Sequence, residues 1–244
     1  MTLLLLAGTR EARELAEGLA ARGVQAVASL AGATADPETL PLPTRRGGFG
    51  GAEGFRDYLA EAGIRAVVDA THPFADRITA LTAAICQAAA IPYLRLDRPG
   101  WEEAPGEGWT WADGPADVVA GLPRGSVVFL ATGRQSADAF NGLTAARVYL
   151  RQIDPPDHAF PFGDGGYVIG RPPYSLADEL ETFRRLAVTD LVVKDAGGRA
   201  GRTKLDAAKR LGIRVWMIRR PAPPEAPPVT TVKEALAWAM ERCG

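Results

Sequence analysis

Short, largely apolar runs that each end in a polar turn recur along the whole chain, and a helical pattern follows most of them. Leu3 to Ala7, Val24 to Ser29, Ala66 to Val68, Pro92 to Leu96, Val127 to Ala131, Asp190 to Val193 and Val215 to Ile218 are such runs. A brief run without polar alternation reads as a strand covered on both faces, the condition of a parallel sheet flanked by helices. The helices between show the matching period. Ala12, Leu15, Ala16 and Leu19 recur at three- and four-residue steps before Gly23, and Phe55, Tyr58 and Leu59 share one side of a segment ending at Gly63. Ser175 precedes Asp178 and Glu179 as an N-cap with acidic residues in the first turn. Strand and helix in alternation predict an α/β protein with mainly parallel, Rossmann-like sheets.

The texture changes between Arg95 and Trp111, which hold Pro99, Gly100, Trp101, Pro105, Gly106, Gly108 and Trp109. Beyond it the strand, turn and helix order starts again. This predicts two domains, 1–112 and 113–244, with a cleft between them; a chain of 244 residues with 47% hydrophobic residues can fill two such cores. A formal net charge of −1 offers no general attraction to nucleic acid or to an anionic membrane, so an anionic ligand must be held by local arginines and backbone amides. Two cysteines, Cys86 and Cys243, form neither a disulfide framework nor a zinc spacing, and no metal site is expected. The N-terminal run lacks a basic flank, and the apolar stretch from Ile78 to Ile91 is too short and too polar to span a bilayer. A cytoplasmic enzyme or binding protein is the expectation.

In open α/β sheets ligands bind beyond the carboxyl ends of strands, so the polar turns carry the functional question. Gly8-Thr9-Arg10-Glu11 stands where a dinucleotide pyrophosphate meets a helix N-terminus, yet only one glycine of the G-x-G-x-x-G fingerprint is present, and a plain tight turn reads equally well. Ser29 ends the second strand and Ala31, Gly32 and Thr34 follow it, with no carboxylate before Asp36. A ribose diol is usually held there by an acid, so hydroxyl and amide donors alone favour NADPH over NADH; the same residues also suit a segment that merely turns the chain. Arg45-Arg46-Gly47-Gly48-Phe49-Gly50-Gly51 suits a loop that approaches a ligand or another segment closely; it also suits a surface turn with two solvated arginines. Asp69-Ala70-Thr71-His72-Pro73-Phe74-Ala75 is either a capped turn or the wall of a site. In the second half Thr132-Gly133-Arg134-Gln135, Arg171, Lys194-Asp195 and Lys204 put charged groups at strand ends, where they can clamp an anionic substrate or simply face solvent.

Taken together and in order, these turns resemble the precorrin-6A reductase family of cobalamin biosynthesis, cobalt-precorrin-6A reductases included. Ala7 to Ala12, Ser29 to Gly32, Gly47 to Gly51, Asp69 to Ala75, Arg98-Pro99 with Trp101, Thr132 to Gln135, Arg151 to Pro155 and Lys194 to Gly198 with Lys204-Leu205 carry the resemblance over nearly the whole chain. It departs at Ala33, where the family often has arginine, and at Ala196, where it often has serine.

The resemblance implies NADPH-dependent reduction of one double bond of the precorrin-6A macrocycle, giving precorrin-6B. The first domain is expected to hold NADPH through Gly8, Thr9, Arg10, Ser29, Ala31, Gly32, Thr34, Thr71, His72 and Pro73. The carboxylate-rich tetrapyrrole is assigned to Arg45, Arg46, Gly48, Phe49, Arg134, Arg171 and Lys204, and proton relay or substrate orientation to Lys194 and Asp195. His72 has no metal partner or nucleophile in view and is expected to touch the cofactor rather than to act as a catalyst. Transient contact with neighbouring pathway enzymes is a further expectation. Two alternatives stay open: a two-domain methyltransferase using S-adenosylmethionine, and a non-catalytic module that binds nucleotide or tetrapyrrole.

Overall fold

Four leucines in a row offer no solvent face, and β1 (Thr2–Leu6) accordingly runs through the middle of a sheet with Leu3, Leu4 and Leu5 fully buried. Each such burial stabilises the fold by about 2 kcal/mol relative to exposure. The computed structural model describes residues 2–32, 39–144, 147–156, 158–222 and 228–243.

The turn after β1 starts α1 (Arg10–Ala21). Thr9 is its N-cap in extended conformation, and its hydroxyl oxygen accepts from the Ala12 N–H at 3.1 Å. Next come β2 (Ala26–Leu30), β3 (Thr44–Arg46), α2 (Gly51–Glu61), β4 (Ile64–Asp69), α3 (Asp76–Ala88) and β5 (Tyr93–Leu96). A second series follows: β6 (Trp109–Ala112), α4 (Pro115–Gly121), β7 (Val127–Ala131), a 3-10 turn over Arg134–Phe140, β8 (Arg147–Gln152) and β9 (Gly165–Ile169). It continues with α5 (Leu176–Arg185), β10 (Asp190–Lys194), α6 (Thr203–Leu211) and β11 (Arg214–Ile218), and β12 (Pro228–Val229) and α7 (Val232–Cys243) close the chain.

The strands form two six-stranded sheets, ordered β12-β5-β4-β1-β2-β3 and β6-β11-β10-β7-β8-β9, and every pairing is parallel. Both have the doubly wound order expected of Rossmann-like sheets. The chain path reverses between β1 and β4 in the first sheet and between β7 and β10 in the second. At such a switch point the adjacent turns diverge and leave a crevice at the carboxyl edge.

The chain divides into two compact units, Met1–Pro99 with Pro221–Gly244, and Gly100–Arg220. This differs from a cut at 112. β6 pairs with β11, so Trp109–Ala112 is the edge strand of the second sheet, although its Pro-, Gly- and Trp-rich flanks read as linker. The C-terminal segment returns to the first unit: β12 pairs with β5, and Ala235 and Ala239 of α7 share a core with Ala12, Leu15, Ala16 and Leu19. Gly18 permits this approach, since a Cβ there would lie 3.1 Å from the Leu236 side chain. β3 is a short edge strand that its two arginines and the glycines after it disguised. Among the described residues, no helix is long and apolar enough to cross a membrane, and no cluster of His, Cys, Asp or Glu is placed to hold a metal ion.

Candidate active site

In the first unit the carboxyl edge of the sheet gathers four turns. Gly8, at φ +142, follows β1, and a Cβ built there would meet nothing within 4 Å. Glycine is therefore demanded by the backbone rather than by protein packing, and the position a Cβ would take at the turn before α1 is open. The Thr9 hydroxyl donates to the Ala70 carbonyl at 2.8 Å, which ties the β1 turn to the β4 turn across the switch point. Arg10 begins α1, but its side chain is 71% exposed and bonded to Glu14 one turn along the helix surface.

Ser29 ends β2 and is buried, with its hydroxyl accepting from the Arg45 guanidinium at 2.8 Å. Arg45 also donates to the carbonyls of Gly47 and Gly48 at 3.0 and 2.9 Å, and lies 4.0 Å above the Phe49 ring. Phe49 in turn meets Phe55 edge-on at 4.8 Å. Gly54 belongs to this arrangement, because a Cβ there would come within 1.9 Å of the Phe49 carbonyl oxygen. The Gly-Gly-Phe-Gly-Gly loop thus folds down on α2 around one arginine. Arg45, Gly48 and Phe49, expected on the substrate, stand beside Ser29 in the cofactor group, and the ring of Phe49 packs against protein. Arg46 is exposed at the end of β3, and Ala31 and Gly32 are exposed beyond β2. Thr34 lies outside the described residues.

The β4 turn is held from below. Thr71 donates both its N–H (2.9 Å) and its hydroxyl (2.7 Å) to Asp69 Oδ1, so its polar groups point into the protein. Thr71, expected among the cofactor-binding residues, thus spends both donors on a buried carboxylate within its own turn. His72 and Pro73, half-buried, form the outer part of the turn, and His72 Nδ1 accepts from the Phe74 N–H at 3.2 Å.

The second unit brings Arg134, Arg171, Lys194 and Asp195 to its own carboxyl edge, Arg134 and Arg171 exposed and Lys194 half-buried at the end of β10. Asp195 is buried and engaged. One oxygen accepts from the Trp101 N–H at 2.9 Å, the other lies 3.4 Å from Arg220 Nε, and that nitrogen donates to the Asp195 carbonyl at 2.8 Å. Gly100 is pressed so closely that a Cβ would sit 2.5 Å from the carboxylate. Asp195 therefore anchors the residues where the chain enters and leaves this unit, a load that a proton relay would have to break. Lys204 donates to the Gly201 carbonyl at 2.7 Å and lies 5.2 Å from the Trp101 ring centre. Burial, opposed by Glu179 and reinforced by Arg151, pushes its ammonium down to about 8. Trp101 donates its indole N–H to the Gly198 carbonyl, and Trp109 is buried in the second core.

Sequence reading passed over the charged residues set inside apolar strands. Arg95 stands between Leu94 and Leu96 with 3% exposure, and Arg151 follows Leu150 with 9%. A charge in a doubly covered strand requires a buried partner, and that was the available signal. The partners are Asp69 and Glu179. Glu179 takes Arg151 in two bonds of 2.7 and 2.8 Å, while Phe129 and Tyr174 lie against the guanidinium at 4.7 and 4.2 Å.

Comparison with known proteins gives the family. The model of the family described as "Precorrin-6x reductase CbiJ/CobK" matches residues 2–240. The precorrin-6A reductase of Rhodobacter capsulatus is 40% identical over 240 residues, 98% of this chain and 96% of the relative. That of Rhodococcus erythropolis is 45% identical over 239 residues, covering 97% and 96%. A cobalt-precorrin-6A reductase of Priestia megaterium is 26% identical, with 90% of each chain covered. Among solved structures, "CobK precorrin-6A reductase" superposes with a TM-score of 0.93 at 39% identity, covering 99% of this chain and 97% of that one. The chain belongs to the precorrin-6x reductase CbiJ/CobK family, a reductase family of cobalamin biosynthesis.

Proposed function

We propose that this reductase uses NADPH to reduce one double bond of precorrin-6A, giving precorrin-6B. The observation that carries the cofactor half is the end of β2: buried Ser29 bonded to Arg45, Arg46 beside it, and no acidic residue from 29 to 32. Two positive charges without a carboxylate favour a ribose 2′-phosphate over a diol. The glycine turn supports the same reading, since a Gly8 with nothing near its Cβ position, directly before the N-terminus of α1, suits a pyrophosphate.

On this reading the first unit binds the cofactor through the Gly8-Thr9-Arg10 turn, the Ser29 to Gly32 turn and the outer face of His72-Pro73. The second unit supplies tetrapyrrole surface, with Arg134, Arg171 and Lys194 orienting macrocycle carboxylates and Lys204 shaping the loop beneath. NADPH supplies the hydride, and one proton completes the reduction at the neighbouring ring atom. Asp195 contributes by holding Trp101, not by moving that proton. The cytoplasm and passing contact with neighbouring pathway enzymes fit such a role. Membership of a reductase family sets a methyltransferase aside, and turnover distinguishes an enzyme from a binding module.

The test is anaerobic NADPH oxidation with precorrin-6A, run beside NADH and beside cobalt-precorrin-6A. One NADPH consumed per macrocycle, with NADH far slower, is expected. No NADPH loss with either authentic substrate would sink the assignment.

A further inference from the structure

The β4 turn owes its shape to a buried polar cluster that spans three elements. Asp69, fully buried at the end of β4, stands in register with Arg95 of β5. Its Oδ1 lies 2.6 Å from Arg95 Nη1 and also accepts from the N–H and hydroxyl of Thr71. Its Oδ2 accepts from Thr79 of α3 at 2.7 Å and from the Tyr93 phenol at 2.8 Å. Arg95 reaches onward to the Thr71 hydroxyl at 2.9 Å and to the His72 carbonyl at 3.3 Å. Every bond in this set converges on residues 69–72, and the Thr9 hydroxyl closes the turn from the β1 side.

A structural neutralisation of Asp69 would need only one positive charge nearby. The observed geometry does more, because one planar guanidinium holds the carboxylate and the Thr71 hydroxyl on Nη1 and the His72 carbonyl on Nη2, a fixed two-nitrogen span that the single nitrogen of an ammonium does not have. We infer that Asp69, Tyr93 and Arg95 are positioning residues, which set His72 and Pro73 against the β1 turn in the geometry that cofactor binding requires. They touch no ligand themselves and act through the turn. Burial, with the Asp69 carboxylate beside it, raises the Tyr93 phenol well above its ordinary value, so it stays a donor at any working pH. The inference rests on the cofactor reading above.

The decisive variants are Arg95→Lys, which keeps the charge and loses the bridge, and Tyr93→Phe, which keeps the ring and loses one donor. NADPH dissociation constants are read by quenching of tryptophan emission, beside the KM for precorrin-6A and the melting temperature. Arg95→Lys is expected to weaken NADPH about tenfold with the tetrapyrrole KM unchanged, as for a misplaced supporting shell. A folded Arg95→Lys protein that binds NADPH like the wild type overturns the inference. Should Arg95→Lys not fold, Tyr93→Phe decides by the same criterion, with a smaller loss expected. A wild type that does not bind NADPH overturns the cofactor reading and this inference with it, whereas binding undisturbed by the variants overturns this inference alone.

Discussion

Replacing Lys204 by methionine tests whether the ammonium beside Trp101 is held against its preference for water. Methionine keeps most of the aliphatic stem and removes the charge, which lies 5.2 Å from the ring centre. In the folded protein the ammonium is lowered from 10.5 to about 8, first by burial, with Arg151 adding to the effect and Glu179 opposing it. The sign follows from linkage. Between pH 8 and 10.5 the unfolded chain binds more protons at this site than the folded one, so stability rises with pH through that window. Below pH 8 the cost of carrying the charge is present in full. Between pH 7 and pH 10 the wild type should gain about 2–3 kcal/mol relative to Lys204→Met, at about 1.4 kcal/mol per pKa unit. Urea unfolding of both proteins at the two pH values measures it, and other lysines and tyrosines cancel in the difference. Tryptophan emission is the suitable probe, because Trp101, Trp109, Trp111 and Trp216 of the five tryptophans belong to the second unit. A difference between the proteins that is flat with pH would refute the reasoning, since it would mean that Lys204 stays as solvated as it is in the unfolded chain.

Arg151→Met should destabilise the second unit by about 3–5 kcal/mol, because Glu179 at 1% exposure would lose its only bidentate partner among the described residues. Adding Glu179→Leu should recover most of that loss in denaturant midpoints; a double variant no more stable than the single one would argue against a desolvated pair. Asp195→Asn should cost about 1–2 kcal/mol of stability through the contacts of Trp101 and Arg220. It should leave the pH profile of kcat intact, and the loss of a limb from that profile would return Asp195 to proton transfer.

The architecture was legible because it depends on local pattern. Leu3 to Leu6 cannot face water on either side, and helices such as Arg10–Ala21 announce their buried stripe at every turn. The edge strands were harder. Thr44–Arg46 and Trp109–Ala112 each have a neighbour on one side only, so their residues need not be uniformly apolar and their flanks read as loop. The turns at the strand ends were found because the doubly wound order forces every such turn to the same edge of its sheet.

What the sequence by itself determined is therefore the α/β alternation, the positions of the polar turns and, through their order, the family. Only the tertiary structure decided what each polar group does. Asp195, Asp69 and Thr71 sit at turns that face a ligand-binding edge, yet Trp101, Tyr93 and Arg95 come to them from 94, 24 and 24 residues away and bond to them. Tertiary structure also returned Val232–Cys243 to the first unit, beside α1. Periodicity states that a face is apolar and a turn is polar. Which partner satisfies it depends on distances between segments remote in the chain, and those exist only once the sheets have formed.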